Sequence, residues 1–187
     1  MKRIENTFNG CKSLASVKLP DGLTEIGDTS FCGCESLKEV TIPDSVTRIG
    51  QRAFRDCDHL VSVNIPDGVT EIEDYSFLFC QELASIRIPD GVRRIGERAF
   101  SGCLSLTAVT IPDGVTEIGE NAFRECESLT SLVIPDSVTE IGNDAFRSCG
   151  NLTVSCPRGS RAWRYCRSQN VPVRASGGLL SSLFGRK

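Results

Sequence analysis

The sequence predicts a repeat solenoid: short coils stacked in one direction, a parallel sheet along one face, short second strands, short helical or 3₁₀ turns, and a small α/β cap at the C-terminal end. Three observations predict it. Phe recurs at Phe8, Phe31, Phe54, Phe77, Phe100, Phe123 and Phe146, always 23 residues apart. Cys11, Cys34, Cys57, Cys80, Cys103, Cys126 and Cys149 keep the same step. Pro20, Pro43, Pro66, Pro89, Pro112 and Pro135, each followed by Asp, mark one turn per unit. Self-similarity at a fixed period of about 20–50 residues is the signature of stacked coils.

One unit shows how each element arises. From Leu106 the chain reads Leu-Thr-Ala-Val-Thr-Ile. Val109 and Ile111 alternate with Thr110, the period of a strand with one buried face. Pro112 donates no backbone hydrogen bond and ends the pairing. Asp113-Gly114 supplies turn chemistry. Val115-Thr116-Glu117-Ile118 reads as a second short strand, and Gly119 bends the chain again. Ala122-Phe123, with Cys126 three later, reads as a short helical or 3₁₀ turn with Phe and Cys inward. One unit cannot bury both strands alone. Stacking brings Val115, Ile118, Phe123, Cys126, Leu129 and Leu132 against their equivalents in the next coil.

The pattern Leu-x-x-Val-x-Ile-Pro-Asp-x-Val-Thr-x-Ile-Gly-x-x-Ala-Phe-x-x-Cys resembles the BspA-like subclass of leucine-rich repeats, over roughly residues 3 to 154. The position of the usual asparagine ladder holds Gly22, Ser45, Gly68, Gly91, Gly114 and Ser137. The Pro-Asp turn and second strand replace that ladder, as is usual in this subclass. The resemblance implies a right-handed leucine-rich-repeat coil. It also implies a bacterial protein, extracellular or surface-attached, that binds host proteins or other cells. It brings no catalytic residues and no fixed binding motif.

The repeat sets the expected organisation: a solenoid over residues 1–154 of about seven coils, the first incomplete; a capping unit over 155–174; a flexible tail over 175–187. In the cap, Arg161 to Arg167 reads as a short amphipathic helix and Asn170 to Val173 as an extended return. Trp163 and Tyr165 are read as cap packing. In the tail, Leu179, Leu180, Leu183 and Phe184 fit one helical face, so membrane contact is the alternative to a disordered end. At the other end Ile4 stands four before Phe8, whereas Ile49 stands five before Phe54. The first coil is thus expected to be irregular and uncapped. Either its edge meets another subunit, or the chain is a piece of something longer.

Composition narrows the function. The formal net charge of the 187 residues is -3, so no nucleic-acid partner is expected. His59 is the single histidine, which excludes catalytic His pairs and His-rich metal sites. No nucleophile–base pair, paired carboxylate pocket or phosphate loop is visible, so neither an enzyme, a cofactor nor a small-molecule substrate is expected. Seven of the ten cysteines lie on the 23-residue column and are read as small buried hydrophobes. Cys32, Cys156 and Cys166 lie off it, and Cys32 is expected to be exposed. So many free thiols fit a reducing compartment or an anaerobe, which pulls against a surface location. The basic start has no apolar run behind it and is not read as a signal peptide. The chain is therefore cytoplasmic, or its leader has been removed.

A non-catalytic protein-interaction module follows, with a structural spacer or fragment of a larger repeat protein as the alternative. Outward on the second strand, Glu25, Arg48, Glu71, Arg94 and Glu117 alternate in sign, which stabilises register. Outward on the first strand, Lys18, Asn64 and Arg87 are the candidate partner contacts, and only Arg87 is of a type that dominates binding energy. The oddest coil puts Tyr75, Leu78 and Phe79 where others carry polar or small residues, and Leu104 follows in the next coil. An exposed apolar cluster there would mark a contact site. Local repacking with Phe79 tucked inward is an equally weighted reading.

Overall fold

The computed structural model describes residues 2–176. The tail residues singled out above, Leu179 to Phe184, lie outside them. The chain winds into stacked coils with a strand on each of two faces. On one face lie the second strands of the unit: β1 (Lys2–Ile4), β3 (Leu23–Ile26) and β5 (Arg48–Ile49), then β7 (Glu71–Ile72), β8 (Arg94–Ile95), β10 (Glu117–Ile118) and β12 (Glu140–Ile141). On the other lie β2 (Ser16–Lys18), β4 (Glu39–Thr41) and β6 (Ser62–Val63), then β9 (Ala108–Thr110), β11 (Ser131–Val133), β13 (Thr153–Cys156) and β14 (Val173–Ala175). Every pairing is parallel. In the first coil the register slips between Lys2 and Arg3.

The core is the set of repeating columns. Phe31, Phe54, Phe77, Phe100 and Phe123 are fully buried. From Phe8 to Phe123 the rings stack near-parallel, with centroids 5.0 to 5.5 Å apart. Offset stacking of this kind adds to the burial energy of each ring. Cys34, Cys57, Cys80, Cys103 and Cys126 are buried beside them. Each thiol donates a hydrogen bond to the carbonyl of the Phe 26 residues earlier: Cys57 to Phe31 at 3.2 Å, Cys80 to Phe54 at 3.1 Å, Cys103 to Phe77 at 3.3 Å. The column is thus more than small-hydrophobe packing, because cysteine alone among small apolar residues brings a donor.

The segment between the two faces is a series of single turns, each closed by a bond from N–H to the carbonyl three residues back: Ala53 to Gly50, Leu60 to Cys57, Cys80 to Phe77. None extends into a helix, because left-handed residues interrupt twice per coil. Asn6, Thr29, Arg52, Tyr75, Arg98, Asn121 and Asp144 form one such column, with φ between 48° and 61°. Gly10, Gly33, Asp56, Phe79, Gly102, Glu125 and Ser148 form the other.

Each face is interrupted once. Gly27, Gly50, Gly96, Gly119 and Gly142 stand after the second strand, where coils approach so closely that a Cβ would collide with the previous one. At Gly119 it would lie 2.6 Å from the Gly96 carbonyl carbon. The same column holds Glu73 in the fourth coil, and β5 does not pair with β7. A side chain at 73 forces that junction apart. On the opposite face Ser85, Ile86, Arg87 and Ile88 make no backbone hydrogen bond to either neighbouring coil. Beside them the Asn64 amide bonds both the N–H and the C=O of Ile42, at 3.0 and 2.9 Å, supplying a rung that backbone supplies elsewhere.

The C-terminal end is closed by α1 (Arg161–Ser168), whose Ser160 N-cap accepts from the Trp163 N–H at 3.1 Å. Ala162, Tyr165 and Cys166 form its buried face. Tyr165 sets its ring edge-on to Phe146 at 5.6 Å, ending the parallel stack, and its hydroxyl accepts from the Ala145 N–H at 3.0 Å. Trp163 is half-buried with Arg158 over its ring.

Candidate functional site

Two surfaces carry the residues singled out by sequence. The first-strand face displays Lys18, Asn64 and Arg87, all exposed. They do not converge. Lys18 lies in the first coil. Asn64 is engaged by Ile42. Arg87 is joined to the exposed Asp67 at 2.6 Å. Asn64 and Arg87 share only a shallow hollow with residues of β4 and β6.

The second-strand face is occupied by charge pairs. Arg48 reaches Glu25, Asp28 at 2.9 Å and Glu73 at 2.7 Å. Arg94 likewise reaches Glu71, Asp74 at 2.7 Å and Glu117 at 3.1 Å. The alternating column is thus paired from coil to coil on either side of the break between β5 and β7, where Arg48 takes Glu73 in place of Glu71. Burial of Glu73 raises its carboxyl above the usual range, against the lowering pull of Arg48.

The coil around Phe77 departs most from the repeat, and the structure divides its apolar residues. Leu78 is buried, 6% exposed, which corrects the expectation that it faces a partner. Phe79 is 38% exposed, the exposed aromatic among the described residues. The split follows from the backbone. Phe79 takes the left-handed conformation that three other coils give to Gly, and this turns its side chain out while Leu78 turns in. Phe79 is not tucked into the core. It lies across the next coil, over Gly102. Leu104 is half-buried and does not join the cluster.

What joins it is arginine. Arg52 lies over the Tyr75 ring at 4.8 Å, and Arg98 stands 5.9 Å from the same ring. Tyr75 donates to Glu97, which holds its phenol above the ordinary value. Arg55 and Arg124 complete an open hollow of about 530 Å³ with Leu78, Phe79, Ser101 and Glu125. Sequence reasoning missed Arg52 and Arg98, although the signal was there: both stand on Tyr75's column, one step of 23 away on either side.

Cys11 is exposed and Cys32 half-buried, not fully exposed as expected, because its coil packs against the Arg52–Asp56 turn of the next. All ten cysteines are free. Among the described residues no group of His, Cys, Asp or Glu could hold a metal ion, and no helix is long and apolar enough to cross a membrane.

A coil of leucine-rich strands carrying variable outward columns defines a leucine-rich-repeat protein. The model of the BspA-type leucine-rich repeat region matches residues 2–126 and 70–160 in six copies, and the chain belongs to that family. It is similar to a leucine-rich repeat protein from Bacteroides ovatus, with 38% identity over 79% of this chain and a TM-score of 0.74, but spans only 41% of that protein. It is also similar to the leucine-rich repeat protein TpLRR of T. pallidum, with 34% identity, a TM-score of 0.71, and coverage of 87% of this chain and 85% of that one. The pneumococcal vaccine antigen PcpA, 19% identical over 88% of this chain and 42% of its own, shares the fold at a TM-score of 0.65. No curated protein sequence matches the chain.

Proposed function

We propose that this chain is a non-catalytic module that presents its repeat surface to a protein partner, in a cell-surface or secreted setting. Family members of this repeat class are generally interaction proteins without catalysis. One observation carries the reading furthest. The inward columns repeat almost without exception, whereas the outward turn columns change character in the middle coils, gathering Arg52, Tyr75, Phe79 and Arg98. A surface that served only as a spacer has no reason to vary there. The bacterial adhesion and host-binding roles implied by the resemblance are the settings in which such a module would act.

Photo-crosslinking tests this. A benzophenone side chain is placed at Phe79 on the turn face and, separately, at Arg87 on the strand face. The folded chain is then irradiated with intact cells of a candidate host. A discrete protein adduct at one position and not the other supports the module. Equal, diffuse labelling at both would sink it.

A further inference from the structure

We infer that the hollow around Tyr75 and Phe79 docks an acidic segment of a partner protein, its carboxylates on Arg52 and Arg98 and an apolar side chain on Phe79. The inference rests on the reading of the chain as an interaction module and names the chemistry of its partner.

Three observations lead there. The first is unspent positive charge. Arg55 and Arg124 have carboxylates beside them, Asp56 at 3.1 Å and Glu125 at 3.0 Å. Arg98 has Glu97 only at 3.9 Å, and that carboxylate already accepts from Tyr75. Among the described residues Arg52 reaches no carboxylate and rests on the Tyr75 ring. The Arg55 Nε–H is buried and has no well-aligned acceptor. Guanidinium groups that lie over an aromatic ring and lack a close carboxylate have N–H donors free for a planar carboxylate.

The second is side-chain size. Arg52, Tyr75, Phe79 and Arg98 all sit at φ of 48° to 61°, the left-handed backbone that every coil adopts at these two columns. Other coils place Asn, Asp, Thr, Ser, Glu or Gly there. Only here do two arginines and two aromatic rings stand side by side on adjoining turns.

The third is spacing and sign. Arg52 and Arg98 are two coils apart, about 10 Å at the usual strand separation. A segment in the polyproline II conformation, with three residues per turn and a rise of about 3.1 Å per residue, sets carboxylates three residues apart on one side at about 9 Å. A sulfated glycan or nucleic acid fits less well. Asp56, Glu97 and Glu125 are interleaved with the arginines and would repel a continuous polyanion, and Phe79 offers it nothing. A second copy of this chain could bring its exposed Asp column, Asp21 to Asp136, but the proline before each Asp is buried or half-buried in every coil except at Pro20, which leaves little apolar surface to cover Phe79.

The test uses the full chain and a fluorescein-labelled short peptide of Asp and Glu around a central Phe, with the Asn/Gln peptide as its neutral counterpart. Saturable binding of the acidic peptide alone is expected, weakened at least about ten-fold by Arg52→Gln with Arg98→Gln, and weakened by Phe79→Gly. Lys38→Gln with Arg174→Gln, which removes the same charge from exposed sites elsewhere, should leave it unchanged. Circular dichroism melting establishes that each variant is folded. No saturable binding below about 1 mM overturns the inference, as does binding that the Arg52/Arg98 pair leaves intact. Tighter binding of heparin through the same arginines would reassign the site to polyanions. Concentration-dependent self-association lost in the Arg52/Arg98 variant would reassign it to a second copy. The module reading itself falls only if the crosslinking experiment fails, so the two failures are separable.

Discussion

Phe79 lies on the bare backbone face of Gly102: a Cβ on Gly102 would stand 2.4 Å from Phe79 Cδ1. Both residues are left-handed, with φ of 60° and 74°. The contact exists because this turn column holds Phe in one coil and Gly in the next. Gly102→Ala should therefore be costly, through both the clash and the backbone strain of about 1–2 kcal/mol. Phe79→Gly should stay within about 1 kcal/mol of the parent, since relief of strain offsets the lost contact. In the double variant the clash is gone, so the Gly102→Ala penalty should shrink by about 1 kcal/mol or more. Urea unfolding of the four proteins measures this coupling. A purely additive result would show that the ring does not rest on Gly102.

Glu73 and Gly119 share a column but differ in what surrounds them. At Gly119 the neighbouring coil is fully paired, and a Cβ would meet Gly96 and Glu97 backbone atoms at 2.6 to 2.8 Å. Backbone cannot rotate away as a side chain can. Gly119→Ala should cost about 1–3 kcal/mol, the usual range for overpacking. A lowered melting temperature with unchanged far-ultraviolet dichroism is the expected reading. If the variant melts with the parent, close approach of the coils is not what the column's glycines serve.

These two columns show what sequence could and could not supply. Each inward position is set by one residue type per coil, so Phe, Cys and Leu could be read directly from the step of 23. Glu73 was visible as a letter out of place. Its effect depends on the distance to the preceding coil's backbone, which no local pattern encodes. The same holds for Leu78 and Phe79. Composition announced an unusual coil, but only the left-handed backbone at Phe79 decides which of two adjacent apolar residues faces out. Arg52 and Arg98 were legible by register with Tyr75, yet only once the turn column is treated as a surface. The Cys column reads from sequence as small-hydrophobe packing, because a thiol's donor bond leaves no mark on spacing.

Arg48 holds three carboxylates from the two coils on either side of it, and it bridges the junction that Glu73 opens. Its substitution leaves Glu25, which is 6% exposed, without its cation from that side. Arg3 remains 3.4 Å away. A fully buried pair broken this way would cost about 3–5 kcal/mol. Arg48 is itself partly exposed, so water screens part of the loss, and Arg48→Met should cost about 1–2 kcal/mol. The loss should shrink at acid pH, where Glu73, whose carboxyl burial raises, takes up a proton and releases its hold on Arg48. Unfolding curves at neutral pH and near pH 4 test both points, and an equal loss at the two pH values would exclude a charge origin.

The buried thiols make stability depend on pH in the alkaline range. Burial pushes Cys34 up to about 11 and Cys103 and Cys166 up to about 12, and Cys57, Cys80 and Cys126 are raised as well. A raised folded value means that the native state holds the proton more tightly than the unfolded chain does. Its contribution is therefore complete below the unfolded thiol value, about 8.5. As pH rises past that point the unfolded chain releases protons that the native state keeps, so stability falls. The decline continues until the folded values are reached. Each thiol contributes about 1.4 kcal/mol per pH unit within that window, so three alone remove about 4 kcal/mol per unit. That is a large fraction of the roughly 5–15 kcal/mol that holds a typical domain. Urea unfolding between pH 8 and about 10.5 should show a steep, reversible loss, and Cys103→Ala should flatten the slope by one proton. At neutral pH a thiol reagent should modify the exposed Cys11 first and the half-buried Cys32 and Cys149 more slowly, sparing the buried thiols until the chain unfolds. A stability that stays level through pH 10 would mean the column does not bury its thiols in the native state.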